Sequence, residues 1–263
     1  VKFLNTTALA GLTQLDDPSI GKRVASAYTK FHPLDRPFVI EALVSRPSFA
    51  PALLEMLEKG VVARGDVSAA QARQIRALGD PDLTARLAAV WGEMRDSPAD
   101  KMELINRLKR MLTPERLAAA TPARGRHLFA KHCGACHRLF GVGGEIGPDL
   151  TGANRQNIDY VLVNVVDPSA VVTKDFLMTR FVLDDGRVLA GIVSGENETT
   201  LTVQTAQSRQ TIAKGDIEIR EPTQLSLMPD GLLQSLDEQE IVDLVAYLGA
   251  DSQIHERHSV PGE

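Results

Sequence analysis

The sequence predicts a mainly α protein built from a helical N-terminal domain and a second helical domain that carries one small antiparallel β insertion. Three observations predict it. Capped prolines, which mark helix starts, recur over the first 120 residues. Both cysteines fall in Cys133-Gly134-Ala135-Cys136-His137, directly after a helical stretch. Between Lys174 and Glu221 the apolar spacing changes from helical to alternating. At 263 residues, 43% of them hydrophobic, the chain has material for one large domain or two ordinary ones.

Along the N-terminal segment, Asp17-Pro18, Asp80-Pro81, Ser97-Pro98 and Thr113-Pro114 each set a capping side chain before a proline. The missing proline N–H costs nothing in a first helical turn. Pro37 and Pro51 stand near two further starts, Leu53 to Leu57 run to a stop at Gly60, and Leu83, Leu87, Val90 and Trp91 make one apolar face. Residues 1–120 therefore read as helix pairs in an irregular, HEAT-like array. Trp91 and the methionines at 56, 94, 102 and 111 are expected to pack in its core.

Thr121-Pro122 opens a helix that runs to about His132, with Gly125 and Phe129 on one face. A glycine beside a large ring invites a crossing helix. The expected partner is the last helix, where Ser235 to Glu238 reads as a capping box, Ile241, Leu244, Val245, Tyr247 and Leu248 form the apolar face, and Gly249 is the stop. A helix is also expected from about Gln156 to Val166, ended by Asp167-Pro168.

Within 174–221, Phe176 to Leu183, Arg187 to Val193, Thr199 to Thr205, Arg209 to Ala213 and Ile217 to Arg220 read as short strands separated by turn residues. They form a small antiparallel sheet or barrel-like insertion with a structural role.

Cys-x-x-Cys-His is the attachment signature of c-type haem, in which the thiols of Cys133 and Cys136 bond the haem vinyl groups and His137 ligates the iron. One covalent haem c is expected. A thioredoxin-like dithiol would sit in a βαβ pattern, and a zinc site would need further cysteines or a downstream His-x-x-x-His pair, neither of which the chain has.

After the motif, residues 141–152 are too rich in glycine for a helix or regular strand. Within them Gly147-Pro148-Asp149-Leu150 resembles the loop that lies against the proximal histidine in class I cytochromes c. That resemblance implies that the Pro148 carbonyl accepts a hydrogen bond from the His137 ring. Met228, in the proline-stiffened loop Ser226 to Leu232, is the candidate distal ligand because it belongs to no apolar stripe. Met178 competes from the first strand of the insertion, and His127 and His132 lie too close to the attachment cysteines to reach the opposite face. Arg155, with Tyr160 a weaker choice, is expected to donate to a haem propionate.

The motifs Cys133 to His137, Gly147 to Gly152, Asp167-Pro168-Ser169-Ala170 and Met228 to Leu232 come in an order that resembles the haem-binding C-terminal region of large secreted proteins from planctomycetes and verrucomicrobia. The resemblance implies a HEAT-like domain at 1–120, a cytochrome c domain at 121–252 interrupted by the β insertion at 174–221, and a tail at 253–263. It also implies an upstream β-propeller similar to sugar dehydrogenases in many members. The expected function is electron transfer with His137 and Met228 as axial ligands, served by a redox partner protein or an attached dehydrogenase domain and without catalysis of its own. An interaction scaffold with a redox-sensing haem and a haem peroxidase are the alternatives.

Net charge is −5 with pI near 5.7, which offers no basic footprint for nucleic acid. No stretch is apolar enough to span a membrane. Haem c is attached outside the cytoplasm in bacteria, so a periplasmic or otherwise extracytoplasmic location is expected. The start at Val1, without a signal-like run, is read as a piece of a longer chain.

Overall fold

The computed structural model describes residues 2–254, so most of the tail expected at 253–263 lies outside the described residues. Helices dominate, joined by small antiparallel sheets. Contacts divide the chain into two compact units, Val1–Met94 with Val171–Asp175, and Arg95–Ala170 with Phe176–Glu263.

The first unit contains α1 (Lys2–Leu12), α2 (Pro18–Ser26), α3 (Arg36–Val44), α4 (Ala50–Glu58), α5 (Ala69–Ala77) and α6 (Pro81–Val90). Three of the four capped prolines act as read: Asp17 accepts from the Ser19 N–H, Asp80 from those of Asp82 and Leu83, and Thr113 from that of Arg116, whereas at Ser97-Pro98 the cap position falls on Pro98 and no side chain caps the helix that follows. Val39, Leu43, Leu53, Leu54, Ile75, Leu87 and Trp91 close one continuous core. Trp91 is buried with its indole N–H 2.9 Å from the Val67 carbonyl, so its polar edge is satisfied inside an apolar cluster. Strand β1 (Gly92–Met94) follows.

In the second unit α7 (Ala99–Met111) and α8 (Pro114–Ala118) precede α9 (Pro122–His132). The unit boundary falls after Met94 and not at Ala120, because Ile105, Leu108 and Leu112 pack against Leu162 and Val166 of α10 (Ile158–Val166) and Ile241, Val242 and Val245 of α11 (Glu238–Leu248). Met102 departs from the core role expected of it, lying 40% exposed on α7, whereas Met56 is buried. The glycine-rich loop also contains regular structure, a two-residue hairpin of β2 (Arg138–Leu139) and β3 (Val142–Gly143). Its turn residues Phe140 and Gly141 both have positive φ, which matches the twist of a tight hairpin.

After α10, β4 (Val171–Thr173) pairs antiparallel with β1 within the first unit. The insertion proper is β5 (Leu177–Leu183), β6 (Val188–Glu196), β7 (Thr200–Gln204), β8 (Arg209–Ala213) and β9 (Ile217–Ser226), an antiparallel sheet in the order β8-β7-β6-β5-β9. Phe181, Leu183, Leu201, Val203 and Ile212 form its own small core. Its last strand runs beyond Arg220 to Ser226, which pairs with Leu177. The insertion therefore occupies 177–226 and ends two residues before Met228, whereas the alternating pattern predicts 174–221.

Candidate functional site

Helix α9 delivers the cysteines. At its end the Cys133 and Gly134 N–H groups both bond the Phe129 carbonyl, and a further turn follows in which Cys136 and His137 donate to the Cys133 carbonyl at 3.1 and 2.9 Å. One hydrogen-bonded turn thus carries both thiols and the imidazole. The loop beyond folds back onto it, with the Gly147 N–H bonding the Cys136 carbonyl at 2.8 Å and the Leu150 N–H bonding the Arg138 carbonyl at 2.8 Å.

That fold-back fixes His137. Its Nδ1 lies 2.9 Å from the Pro148 carbonyl oxygen, and a carbonyl can only accept, so Nδ1 carries the proton and Nε2 keeps its lone pair. Gly147 lies against the ring: a Cβ there would sit 2.6 Å from Cε1 and 3.0 Å from Nε2 of His137. Burial lowers the His137 pKa and outweighs the opposing bond to Pro148, leaving a neutral imidazole, the form that binds a metal. Burial, with a smaller contribution from Cys136, pushes the Cys133 thiol up to about 11. A protonated thiol is a poor redox nucleophile, which disfavours the dithiol alternative.

No disulfide joins Cys133 to Cys136. Two thiols and an oriented neutral imidazole on one turn fit the donor set of haem c. Among the described residues no three His, Cys, Asp or Glu side chains gather to hold a metal ion.

The platform beneath the motif is the crossing of α9 with α11. Gly125 allows the close approach, and the Phe129 and Tyr247 rings lie 5.7 Å apart with Phe140 edge-on to Tyr247 at 6.2 Å. The capping box of α11 is formed by Asp237 and Glu240, two residues along from the expected Ser235 and Glu238.

Residues 122–161, from the first turn of α9 through the motif into α10, match the Cytochrome c family. The chain carries a cytochrome c domain. With that domain comes a haem-binding, electron-transfer role. No curated protein matches the chain.

Of the residues expected around the haem of this cytochrome c domain, Cys133, Cys136, His137 and Pro148 are brought together. Arg155 is engaged otherwise than expected: Nη1 donates to the carbonyls of Leu248 and Ala250, Nη2 to that of Thr151, and the guanidinium stacks 4.9 Å from the Phe140 ring centroid. Its Nε is buried without a hydrogen-bond partner among the described residues. Tyr160 lies on α10, partly buried against the core beside Phe129 and Tyr247.

Met228 stands on a separate loop after β9, half-buried, its N–H bonded to Ser226 Oγ at 3.1 Å. Met178 is half-buried in β5, where its carbonyl accepts from Thr223 Oγ1. Sequence reading missed the charges beside the Met228 loop. Asp167, read as a helix terminator and as the first residue of the Asp167-Pro168-Ser169-Ala170 motif, is buried and takes a two-pronged bond from Arg95, each prong 2.8 Å, and a third from Lys101 at 2.9 Å. Burial alone would raise the Asp167 pKa, but the bonds from Arg95, Lys101 and Ser97 together hold it below the usual value.

Proposed function

We propose that this chain is a c-type cytochrome electron-transfer module, its single haem bound through Cys133 and Cys136 and ligated by His137 and Met228. The observation that carries the reading is the 2.9 Å contact from His137 Nδ1 to Pro148, which leaves Nε2 free to ligate. Haem supplies the one-electron iron couple, and the chain's residues set how it works. Thioethers from the cysteines prevent loss of the group. Pro148 and Gly147 hold the imidazole in one tautomer and one orientation, which limits reorganisation between oxidation states. Met228 would supply a thioether as the second protein ligand to the iron, which would raise the potential and leave the iron closed to substrates. Arg155 has its buried Nε left to offer a propionate.

The proposed setting is extracytoplasmic, within a larger secreted oxidoreductase of the kind the sequence resembles, where the module would pass electrons from an attached dehydrogenase or a partner protein. Denaturing electrophoresis tests the central claim. Haem stain should stay with the wild-type band and vanish in Cys133→Ala/Cys136→Ala. Release of haem from the wild type into acidified organic solvent would overturn the reading. Slow, incomplete carbon monoxide binding by the reduced protein is expected, and rapid, complete binding would favour an open-site enzyme.

A further inference from the structure

The loop bearing Met228 is tethered on both sides of the methionine. Two residues before it, the Ser226 N–H bonds Ser169 Oγ at 3.1 Å, and the Ser226 hydroxyl in turn accepts from the Met228 N–H. Two residues after it, Asp230 Oδ2 lies 2.9 Å from Lys101 Nζ. That ammonium is itself anchored, because its other contact, at 2.9 Å, is Asp167 Oδ1 on a side chain with no solvent exposure that the Arg95 fork already holds. Lys101 is 21% exposed and Asp230 is 62% exposed, so the bridge runs from a rigid buried carboxylate out to a surface loop.

A mobile surface ion pair contributes little because both partners lose freedom when they meet. Here one partner is already immobile. A lysine suits the task as a compact charge with three donors, two of which can serve different carboxylates at once. Both anchors, Ser169 and Asp167, belong to the segment that ends α10. The loop is thereby referenced to a helix that packs in the core of the second unit.

We propose that Lys101 is a positioning residue for the Met228 ligand: by bridging Asp167 to Asp230 it holds the loop in the conformation that presents the thioether. This inference rests on the Met228 ligation proposed above. The experiment is equilibrium binding of imidazole to the ferric holoprotein, together with the reduction potential, in Asp230→Asn, Lys101→Met, Lys101→Arg and Met228→Ala. Imidazole competes with the thioether for the iron and is largely uncharged above neutral pH, so its affinity reports how firmly the loop holds its ligand.

Asp230→Asn breaks only the outer contact and leaves the buried cluster intact, so it should fold normally. It should bind imidazole roughly two- to fivefold more tightly, the weight of one partly exposed ion pair. Lys101→Met should strengthen imidazole binding at least as much, and Lys101→Arg should restore it in part. A purely electrostatic influence would move the potentials of Asp230→Asn and Lys101→Met in opposite directions and leave imidazole binding unchanged, which would overturn the proposal. Met228→Ala separates the two levels. If imidazole affinity is the same in Met228→Ala and wild type, the ligation itself is wrong; if it rises there but not in Asp230→Asn or Lys101→Met, only the positioning role fails.

Discussion

Gly125 brings α9 against the main chain of Asp243 on α11: a Cβ at position 125 would lie 2.0 Å from the Asp243 carbonyl oxygen and 2.7 Å from Cβ of Tyr247. Neither neighbour can yield easily. The Asp243 side chain, buried, accepts from the Thr121 N–H at 2.8 Å and from Gln239 at 3.0 Å and pairs with Arg124, so the backbone there is pinned. Gly125→Ala should therefore destabilise the second unit by about 1–3 kcal/mol or more. Chemical denaturation followed at a haem band would show it as a lower midpoint, and an unchanged midpoint would mean that the helices separate without cost.

This crossing was legible in the sequence because both of its signals are local, a glycine four residues before a phenylalanine and a capped apolar helix at the far end. The capping box was less so. Ser235-x-x-Glu238 and Asp237-x-x-Glu240 overlap and match the same pattern, and α11 uses the second, which places Leu236 just before the cap and Ile241 one turn in, both in the same apolar cluster. The allegiance of α7 was not legible at all, since an apolar stripe of Ile105, Leu108 and Leu112 does not say which helices it faces. Lys101 was hidden for a similar reason: its partners Asp167 and Asp230 are remote in sequence, and no spacing rule connects them.

Gly147 faces the His137 ring more closely than any side chain would permit, since a methyl group there would stand 2.6 Å from Cε1. Gly147→Ala should push the imidazole off the Pro148 carbonyl and loosen its orientation. The expected result is a shifted reduction potential and faster displacement of the axial ligands. A variant with wild-type potential and ligand kinetics would show that the ring is held by something other than this loop.

Arg155 fastens the end of α11 to the loop after the motif through the carbonyls of Leu248, Ala250 and Thr151. Hydrogen bonds from a charged group contribute about 1.5–3 kcal/mol each before other losses, so Arg155→Leu should lower stability measurably. Arg155→Lys should recover only part of it, because an ammonium lacks the planar fork. A shift in potential at unchanged stability would instead make the propionate contact the main role of Arg155.

The insertion has its own pH signature. Glu196 accepts from Arg220 and Lys214, and those bonds bring its pKa down from 4.5 to about 2. A carboxylate depressed in the folded state adds stability that is fully present above its unfolded pKa and is lost as pH falls through the folded one. Melting of the sheet should therefore become easier between about pH 4.5 and 2, and Glu196→Gln should flatten that part of the profile. Equal slopes for wild type and variant over that range would remove Glu196 as its source.

Two methionines adjoin the same strand pair, and only a ligand exchange experiment separates them. Met178 lies in β5 and Met228 follows β9, which pairs with β5 between Leu183 and Leu177 with two breaks in register, one of them at Met178. Met178 falls at the bulge between Leu177 and Thr179, before the first residue paired with β6, and its carbonyl is tied to Thr223 Oγ1, whereas Met228 lies beyond the last paired residue, Ser226, in a loop that Pro229 stiffens. A thioether is soft and neutral, so it favours ferrous over ferric iron and raises the potential above that given by water or a second imidazole. Ferric wild type should show the weak long-wavelength band of sulfur-to-iron charge transfer. Met228→Ala should lose that band, fall in potential and gain carbon monoxide binding, while Met178→Ala should keep all three properties of the wild type. Because β9 runs directly into the Met228 loop, shortening the sheet is expected to weaken the band even with both methionines intact. Loss of the band in Met178→Ala and its survival in Met228→Ala would transfer the ligand to the insertion, and the loop tethered by Lys101 would then have no role at the iron.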